Sequence, residues 1–122
     1  MLSPIDRDRY QKFQQHLEQM QQIAAQAPTD IAKLRDTFAQ LQPIFASQIT
    51  TSGNDDPNTP TFSRYQSYVT EIDKQMRLLA IDLTFLQAAR QSATAQTRIA
   101  QIVSRLNTLI SYCQALLETK AS

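Results

Sequence analysis

One cysteine and one histidine are the side chains of this sequence best suited to chemistry. Cys113 lies in "SRLNTLISYCQALLE", residues 104 to 118. A reactive thiol needs a neighbouring histidine or cation to lower its pKa. Cys113 instead follows Leu109 by four residues and precedes Leu116 by three, which is the spacing of an apolar helix face. We predict that Cys113 is buried and inert, with a redox or modification role as the alternative.

Metal binding is not favoured by the available ligand types. One His and one Cys cannot supply the four ligands of a zinc site, and we expect His16 to lie half-buried at the flank of a helix beside Phe13 and Leu17. The acidic run "NDD" at 54 to 56 resembles part of a calcium loop but lacks its spaced oxygen ligands and terminal glutamate. We therefore expect no metal and no cofactor.

The carboxylates do not suggest an acid–base pair. Glu71, Asp73 and Asp82 fall on solvent-side or flanking positions of one predicted helix, whereas general acid and base catalysis needs two titratable groups held in a pocket. Asp73 and Arg77 are four residues apart and predict a surface pair. Gly53 is the only glycine, so a glycine-rich phosphate loop cannot form. We expect that the chain is not an enzyme.

Length and charge narrow the classes of partner. A chain of 122 residues fits a single domain, residues 1–122, around one core. Twelve basic residues against 11 acidic ones give no broad field for nucleic acid. The first residues lack the basic and apolar regions of a signal peptide, and no stretch reaches the roughly 20 apolar residues of a membrane span. We expect a cytoplasmic protein without nucleic-acid binding or membrane insertion.

The composition predicts an all-α fold, because turn-forming glycine is almost absent while Gln, Ala and Leu are abundant. We predict a single-domain antiparallel four-helix bundle with a long third helix. The predicted helices cover 4–26, 29–50, 60–90 and 95–119, with a loop at 51–60. Pro4 should begin the first helix after Ser3, with Asp6 in its first turn; Thr29 should cap the second helix, and Thr59 and Pro60 should open the third.

Apolar residues recur at steps of three and four in each predicted helix. The four stripes are Tyr10, Phe13, Leu17, Met20, Ala24 and Ala27; Ile31, Leu34, Phe38, Leu41, Phe45 and Ile49; Phe62, Tyr65, Val69, Ile72, Met76, Leu79, Leu83 and Leu86; and Ile99, Ile102, Leu106, Leu109, Cys113 and Leu116. Pro43 predicts a kink or break near residues 40 to 42. The last two stripes are out of phase, which predicts a turn near 91 to 94 with Ser92 or Thr94 as caps.

The third helix carries a second apolar face. Leu78, Ile81 and Phe85 lie nearly opposite its core stripe. We favour a central helix packed on both faces; the alternative is an exposed patch that docks a partner or a second copy. If the patch is exposed, these three residues should anchor the partner, and Lys74 and Arg77 beside them would suit an acidic segment. The next candidate surface lies on the fourth helix and consists of Arg98, Arg105, Thr108 and Tyr112.

The fourth helix also carries a family resemblance. The run "TRIAQIVSRLNTLISYCQALLE", with Arg98, Arg105, Leu109, Tyr112, Cys113 and Leu117, together with the N-terminal "RYQKFQQHLEQM", resembles the small cyanobacterial helical proteins of the PatD type. The resemblance implies a noncatalytic regulator that acts by protein–protein interaction and links heterocyst differentiation to cell division through FtsZ. A self-associating structural or assembly module, present as a homo-oligomer, is the alternative.

Overall fold

The computed structural model describes residues 4–46 and 60–118, which form an up-down-up-down bundle of four helices. They are α1 (Pro4–Ala25), α2 (Ile31–Ile44), α3 (Pro60–Ala88) and α4 (Ser92–Glu118). No strand occurs within these ranges. The predicted all-α bundle is confirmed, α1 and α3 begin at the expected prolines, and α3 is the longest helix described. Ser3, Thr59 and residues 51–59 of the predicted 51–60 loop lie outside the described residues, and Pro60 is the first residue of α3.

The helices α1 and α4 form the inner pair of the bundle. Helix α1 packs against α2 and α4, and α4 packs against α1 and α3, whereas α2 and α3 make only a small contact. Helix α3 is thus an edge helix, and its interpretation as a central helix packed on both faces is wrong. The two helices also differ in described length: α2 has 14 residues and α3 has 29, or about 21 Å against about 44 Å at 1.5 Å per residue.

The predicted stripes supply most of the described core. Among the stripe residues whose side chains are described, three are half-buried: Ile31, Val69 and Ile99. The core is formed by Tyr10, Phe13, Leu17, Met20, Ala24, Leu34, Phe38, Leu41, Phe45, Ile72, Met76, Leu79, Leu83, Leu86, Ile102, Leu106, Leu109, Ile110, Cys113 and Leu116. Burial of these side chains is the main force that holds the four helices together.

The stripe predictions fail at two described positions. Ala27 is exposed, because α1 ends at Ala25 and the apolar face does not continue into the turn. Ile110 is buried although it was not assigned to a stripe; it lies beside Leu109 and widens the apolar face of α4. Ile49 and the side chains of Phe62 and Tyr65 lie outside the described part of the chain, so their assignment stays a prediction.

In the turn between α1 and α2, two neighbouring residues make hydrogen bonds to different helices. The carboxylate of Asp30 accepts a hydrogen bond from the backbone N–H of Lys33 at 3.0 Å, so Asp30 is the N-cap of α2. Thr29, which we predicted as that cap, donates its hydroxyl to the carbonyl oxygens of Gln26 at 2.9 Å and Ala24 at 3.3 Å. Thr29 therefore satisfies carbonyls at the end of α1 instead.

Pro43 lies inside α2 without breaking it. Residues 40 to 42 are helical, so the break predicted there is absent, and the irregularity follows the proline as a π-helical turn at Phe45 and Ala46. The N–H of Phe45 reaches the carbonyl oxygens of both Leu41 and Gln42. Placed near the last turn, the proline removes one hydrogen bond close to the helix end, where carbonyls lack helical partners in any case.

The predicted separation of α3 and α4 is confirmed, but the turn lies earlier than expected. Residues 89 to 91 connect the helices, and the N–H of Ala95 donates to the carbonyl of Gln91 at 3.0 Å. Gln91 therefore accepts the first hydrogen bond of α4. Ser92 and Thr94, predicted as caps, both lie within the first turn of the helix.

Contacts at both ends of α1 confirm that it runs antiparallel to α4. The guanidinium of Arg7 donates from Nη2 to the carbonyl oxygen of Leu117 at 2.8 Å. Near the other end, the side-chain amide of Gln21 donates to Asn107. The Arg7 contact places a positive charge at the C-terminus of α4, where the helix dipole and the unpaired carbonyls favour a cation.

Candidate protein-binding surface

The outer face of α3 exposes two large apolar side chains one helical turn apart. Ile81 is 48% exposed and Phe85 is 49% exposed, while Leu78 is half-buried beside them. The neighbouring Leu79, Leu83 and Leu86 are buried on the opposite side of the same helix. Ile5, on α1, is the third large hydrophobic side chain that is exposed in the described part of the chain. We call the region of Lys74, Arg77, Leu78, Ile81 and Phe85 the outer face of α3.

Arg98 of α4 extends this face. Its guanidinium carbon lies 4.5 Å from the centroid of the Phe85 ring, within the range of a cation–π interaction. The same guanidinium donates from Nη1 to Oε1 of Gln101 at 3.2 Å, and the Arg98 side chain is half-buried. Arg98 therefore contacts the Phe85 ring and places a positive charge at the border of the outer face of α3.

Basic residues also border the N-terminal half of the outer face. Lys74 is exposed seven residues before Ile81, and Arg77 is exposed four residues before it. Arg77 pairs with Asp73 at 2.5 Å, the predicted surface pair, and this pairing is worth only a few tenths of a kcal/mol because both groups remain in contact with water. The outer face thus combines an apolar centre with basic edges.

A groove lies between the end of α2 and the middle of α3. It has a volume of about 600 Å³, and its lining includes Phe45 of α2 together with Met76, Ala80 and Ile81 of α3. Ile81 therefore belongs both to the groove wall and to the exposed outer face. Most residues that line the groove are apolar, and the Arg77–Asp73 pair lies at one edge of it.

The groove was not predicted from the sequence. Phe45 and Met76 were assigned to core stripes, and they are indeed mostly buried, at 7% and 4% exposure. The sequence signal nearest to the groove is Pro43, two residues before Phe45 in the groove wall. The pattern of apolar residues alone does not show how closely α2 and α3 approach each other, and their described contact is small.

Arg105 is engaged inside the bundle. Its Nε donates to the carboxylate of Asp82, and its Nη1 lies 3.4 Å from Oε1 of Gln75. Asp82 is only 3% exposed, so its assignment to a solvent-side or flanking position is wrong. A buried carboxylate is unfavourable without a partner, and Arg105 supplies that partner across the seam between α3 and α4.

The other predicted surface residues of α4, Thr108 and Tyr112, make contacts within the bundle. Tyr112 is half-buried and packs edge-on against Tyr68 of α3, with ring centroids 5.9 Å apart and an angle of 67° between the ring planes. The hydroxyl of Thr108 donates to the carbonyl of Ser104 at 3.1 Å. Of the predicted α4 surface, only Arg98 adjoins the exposed apolar residues of α3.

Cys113 is fully buried, as predicted. Burial raises the pKa of its thiol from 9.0 to about 12, and the negative charge of Glu18 adds to the shift. The thiolate, which is the reactive form, is therefore disfavoured near neutral pH. His16 is half-buried, also as predicted, and its Nδ1 lies 2.9 Å from the carbonyl oxygen of Lys12.

Within the described residues, 4–46 and 60–118, no group of three or more His, Cys, Asp or Glu side chains is arranged to hold a metal ion. None of the helices there is both long enough and apolar enough to cross a membrane.

Comparisons of the chain with protein-family models, curated proteins and solved structures found no match. The outer face of α3 is defined by its geometry: two exposed apolar residues one helical turn apart, a groove beside them, and basic side chains around both.

Proposed function

We propose that this chain is a noncatalytic regulatory protein that acts in the cytoplasm by binding another protein through the outer face of α3. The observation that carries the proposal is the pair Ile81 and Phe85, each about half exposed and one turn apart on the same helix. Clustered exposed apolar side chains are costly in water and are typical of binding surfaces. Large apolar residues at the centre of an interface usually supply most of its binding energy.

The resemblance of the last helix to PatD-type proteins makes FtsZ the first partner to test, and it makes the link between heterocyst differentiation and cell division the process to examine. This part of the proposal depends on the resemblance of residues 97–118 and of the N-terminal run. The protein-binding part depends instead on the exposed face, so each can fail without the other.

The experiment is a titration of purified FtsZ into the labelled full chain, with two matched variants. Ile81→Asp places a charge at the centre of the outer face, and Ile5→Asp places the same charge at an exposed apolar residue on α1. We expect native binding, a loss of about tenfold or more in affinity for Ile81→Asp, and little change for Ile5→Asp. Circular dichroism melts run in parallel should show that both variants remain folded.

Each outcome of that titration has a defined meaning. Absence of native binding rejects FtsZ, and a pull-down from a cyanobacterial lysate then tests the wider proposal. A partner that binds native protein and Ile81→Asp equally well would remove the outer face of α3 from the proposal. If no protein is retained specifically by the native chain, the regulatory function itself is rejected.

Self-association is the second candidate function, because an exposed apolar face can also dock on a second copy. Sedimentation velocity of the native chain and of Ile81→Asp distinguishes the two. A stable oligomer that Ile81→Asp converts to a monomer would favour the assembly module, whereas a native monomer would favour a separate partner.

A further inference from the structure

We propose that the occupant of the outer face of α3 is an amphipathic helix with acidic residues beside its apolar stripe. This inference deepens the proposed function by stating the chemistry of the partner. Three features of one surface support it. They are the apolar residues Leu78, Ile81 and Phe85, the groove next to them, and a border in which positive charge predominates.

The outer face of α3 is long enough to contact a helix along several turns. From Lys74 to Phe85, α3 spans about 17 Å at 1.5 Å per residue, which equals about three turns of a partner helix. The groove beside Ile81 has a volume of about 600 Å³, with Phe45 and Met76 in its lining. A helix laid along this surface could insert apolar side chains into the groove and rest others on Ile81 and Phe85, as amphipathic helices do when they bind in apolar grooves.

The charge around this surface selects the partner. Between residues 74 and 105 the sequence has five basic side chains and one acidic side chain, Asp82. Asp82 is buried and paired with Arg105, so those two charges offset each other. Of the other four, Lys74, Arg77 and Arg98 border the outer face, and Arg90 lies in the turn that follows α3. Asp73 pairs with Arg77 and offsets its charge, and the half-buried Glu71 lies three residues before Lys74. The positive charge is therefore strongest at the Phe85 end of the outer face.

The same charges disfavour a second copy as the occupant. Two chains that met through this face would bring Lys74, Arg77 and Arg98 of each copy close to the same residues of the other. Like charges facing each other across an interface are destabilising, whereas carboxylates of a partner helix would complement them and accelerate association.

The test uses a matched pair of synthetic peptides titrated into the full chain. Each peptide has about 18 residues, long enough to populate a helix, and carries leucines at a three-and-four spacing. One peptide has Glu and the other has Lys at the positions beside that stripe. We expect the Glu peptide to bind about tenfold more tightly or better at low ionic strength, with a smaller difference at high salt because the charges are screened.

Two sets of variants locate the binding site. The double variant Lys74→Glu/Arg77→Glu should reduce or reverse the preference for the Glu peptide. The control Lys33→Glu/Arg35→Glu makes the same change in net charge at exposed residues of α2 and should leave the preference unchanged. Ile81→Asp should weaken binding of both peptides, while Ile5→Asp should not. Amide chemical shifts of the native chain should change mainly at residues 74–88 and around Arg98.

Several results would overturn the inference. Equal affinity for the two peptides would contradict the acidic character proposed for the partner. Changes in amide chemical shift that lie away from α3 would contradict the proposed location of the site. Absence of binding by either peptide would reject a helical occupant, even if the FtsZ or lysate experiment had identified a protein partner. If the native chain is a dimer and Ile81→Asp is a monomer, the occupant of the outer face is a second copy of the chain instead.

Discussion

The two sides of α3 contact the rest of the bundle in different ways. On the side towards α4, the seam contains the buried Asp82–Arg105 ion pair, the Tyr68–Tyr112 ring pair and the Arg98–Phe85 contact. On the side towards α2, the helices make little contact and an apolar groove lies between them. One helix therefore has a side closed by specific polar and aromatic pairs and a side left open to solvent.

The difference shows that helix length and paired polar groups decide where a bundle is closed. The α3 and α4 helices have 29 and 27 residues, so they can pack along nearly their full lengths. Their buried ion pair then fixes one alignment, because a shift along the seam would strand Asp82 without Arg105. The described residues of α2 make only a small contact with α3, and the groove between the two helices adjoins the outer face that we propose for binding.

Breaking the ion pair on the closed side should have the largest effect. Arg105→Ala leaves the carboxylate of Asp82 buried without its partner, and we expect a loss of about 3–5 kcal/mol in the free energy of unfolding. Urea denaturation followed by circular dichroism measures this loss. The double variant Asp82→Leu/Arg105→Leu removes both charges and should recover much of it. A loss below about 1 kcal/mol in Arg105→Ala would show that the pair does not secure the seam.

A matched pair of truncations compares the inner and outer faces of α3. Leu79 is fully buried, and Leu79→Ala should cost about 2–5 kcal/mol through lost apolar contacts and a cavity. Ile81 is 48% exposed, so Ile81→Ala should change the unfolding free energy by less than about 1 kcal/mol. Thermal and urea unfolding of the two variants provides the measurement. Equal losses would mean that Ile81 is covered by the bundle and is not available to a partner.

An effect smaller than that of Leu79→Ala is expected at Cys113, on the face of α4 that belongs to the core. Near pH 7, Cys113→Ala should cost about 1 kcal/mol, and a thiol reagent should label the native protein much more slowly than the urea-unfolded chain. Because folding raises the thiol pKa from 9.0 to about 12, the stabilising contribution is fully present below pH 9. It should decrease as the pH rises from about 9 towards 12, where the unfolded chain gains by ionising.

Comparison with Cys113→Ala isolates this pH dependence, since the two proteins differ only at this residue. The stability advantage of the native chain over the variant should be constant up to about pH 9 and smaller at about pH 10.5. An advantage that does not change with pH, or rapid labelling of the folded protein, would contradict the burial of the thiol.

Most of the bundle could be predicted from the spacing of apolar residues, since this spacing decides which face of each helix is buried. Tyr10, Phe13 and Leu17 followed that pattern, and the phase change after Leu86 correctly separated α3 from α4. The caps were less predictable. Thr29 and Asp30 are both suitable cap residues, and only the geometry of the turn decided that Asp30 begins α2.

The binding surface was only partly predictable, for a physical reason. The wheel position of Leu78, Ile81 and Phe85 showed that α3 has two apolar faces, but it could not show whether another helix covers the second. That depends on which helices are neighbours and how far each extends, which are properties of the whole fold. Asp82 and Arg105 are 23 residues apart, so their pairing likewise required the packing of α3 on α4.

The contact between Arg7 and the carbonyl of Leu117 also makes the chain a candidate for circular permutation. Since α1 begins where α4 ends, a short linker could join the two helices, and new termini could be placed in the chain between α2 and α3. The order of helices would become α3, α4, α1, α2. The two helices that border the groove would then be the terminal elements, so a peptide fused to either end would be tethered close to the surface it is designed to occupy.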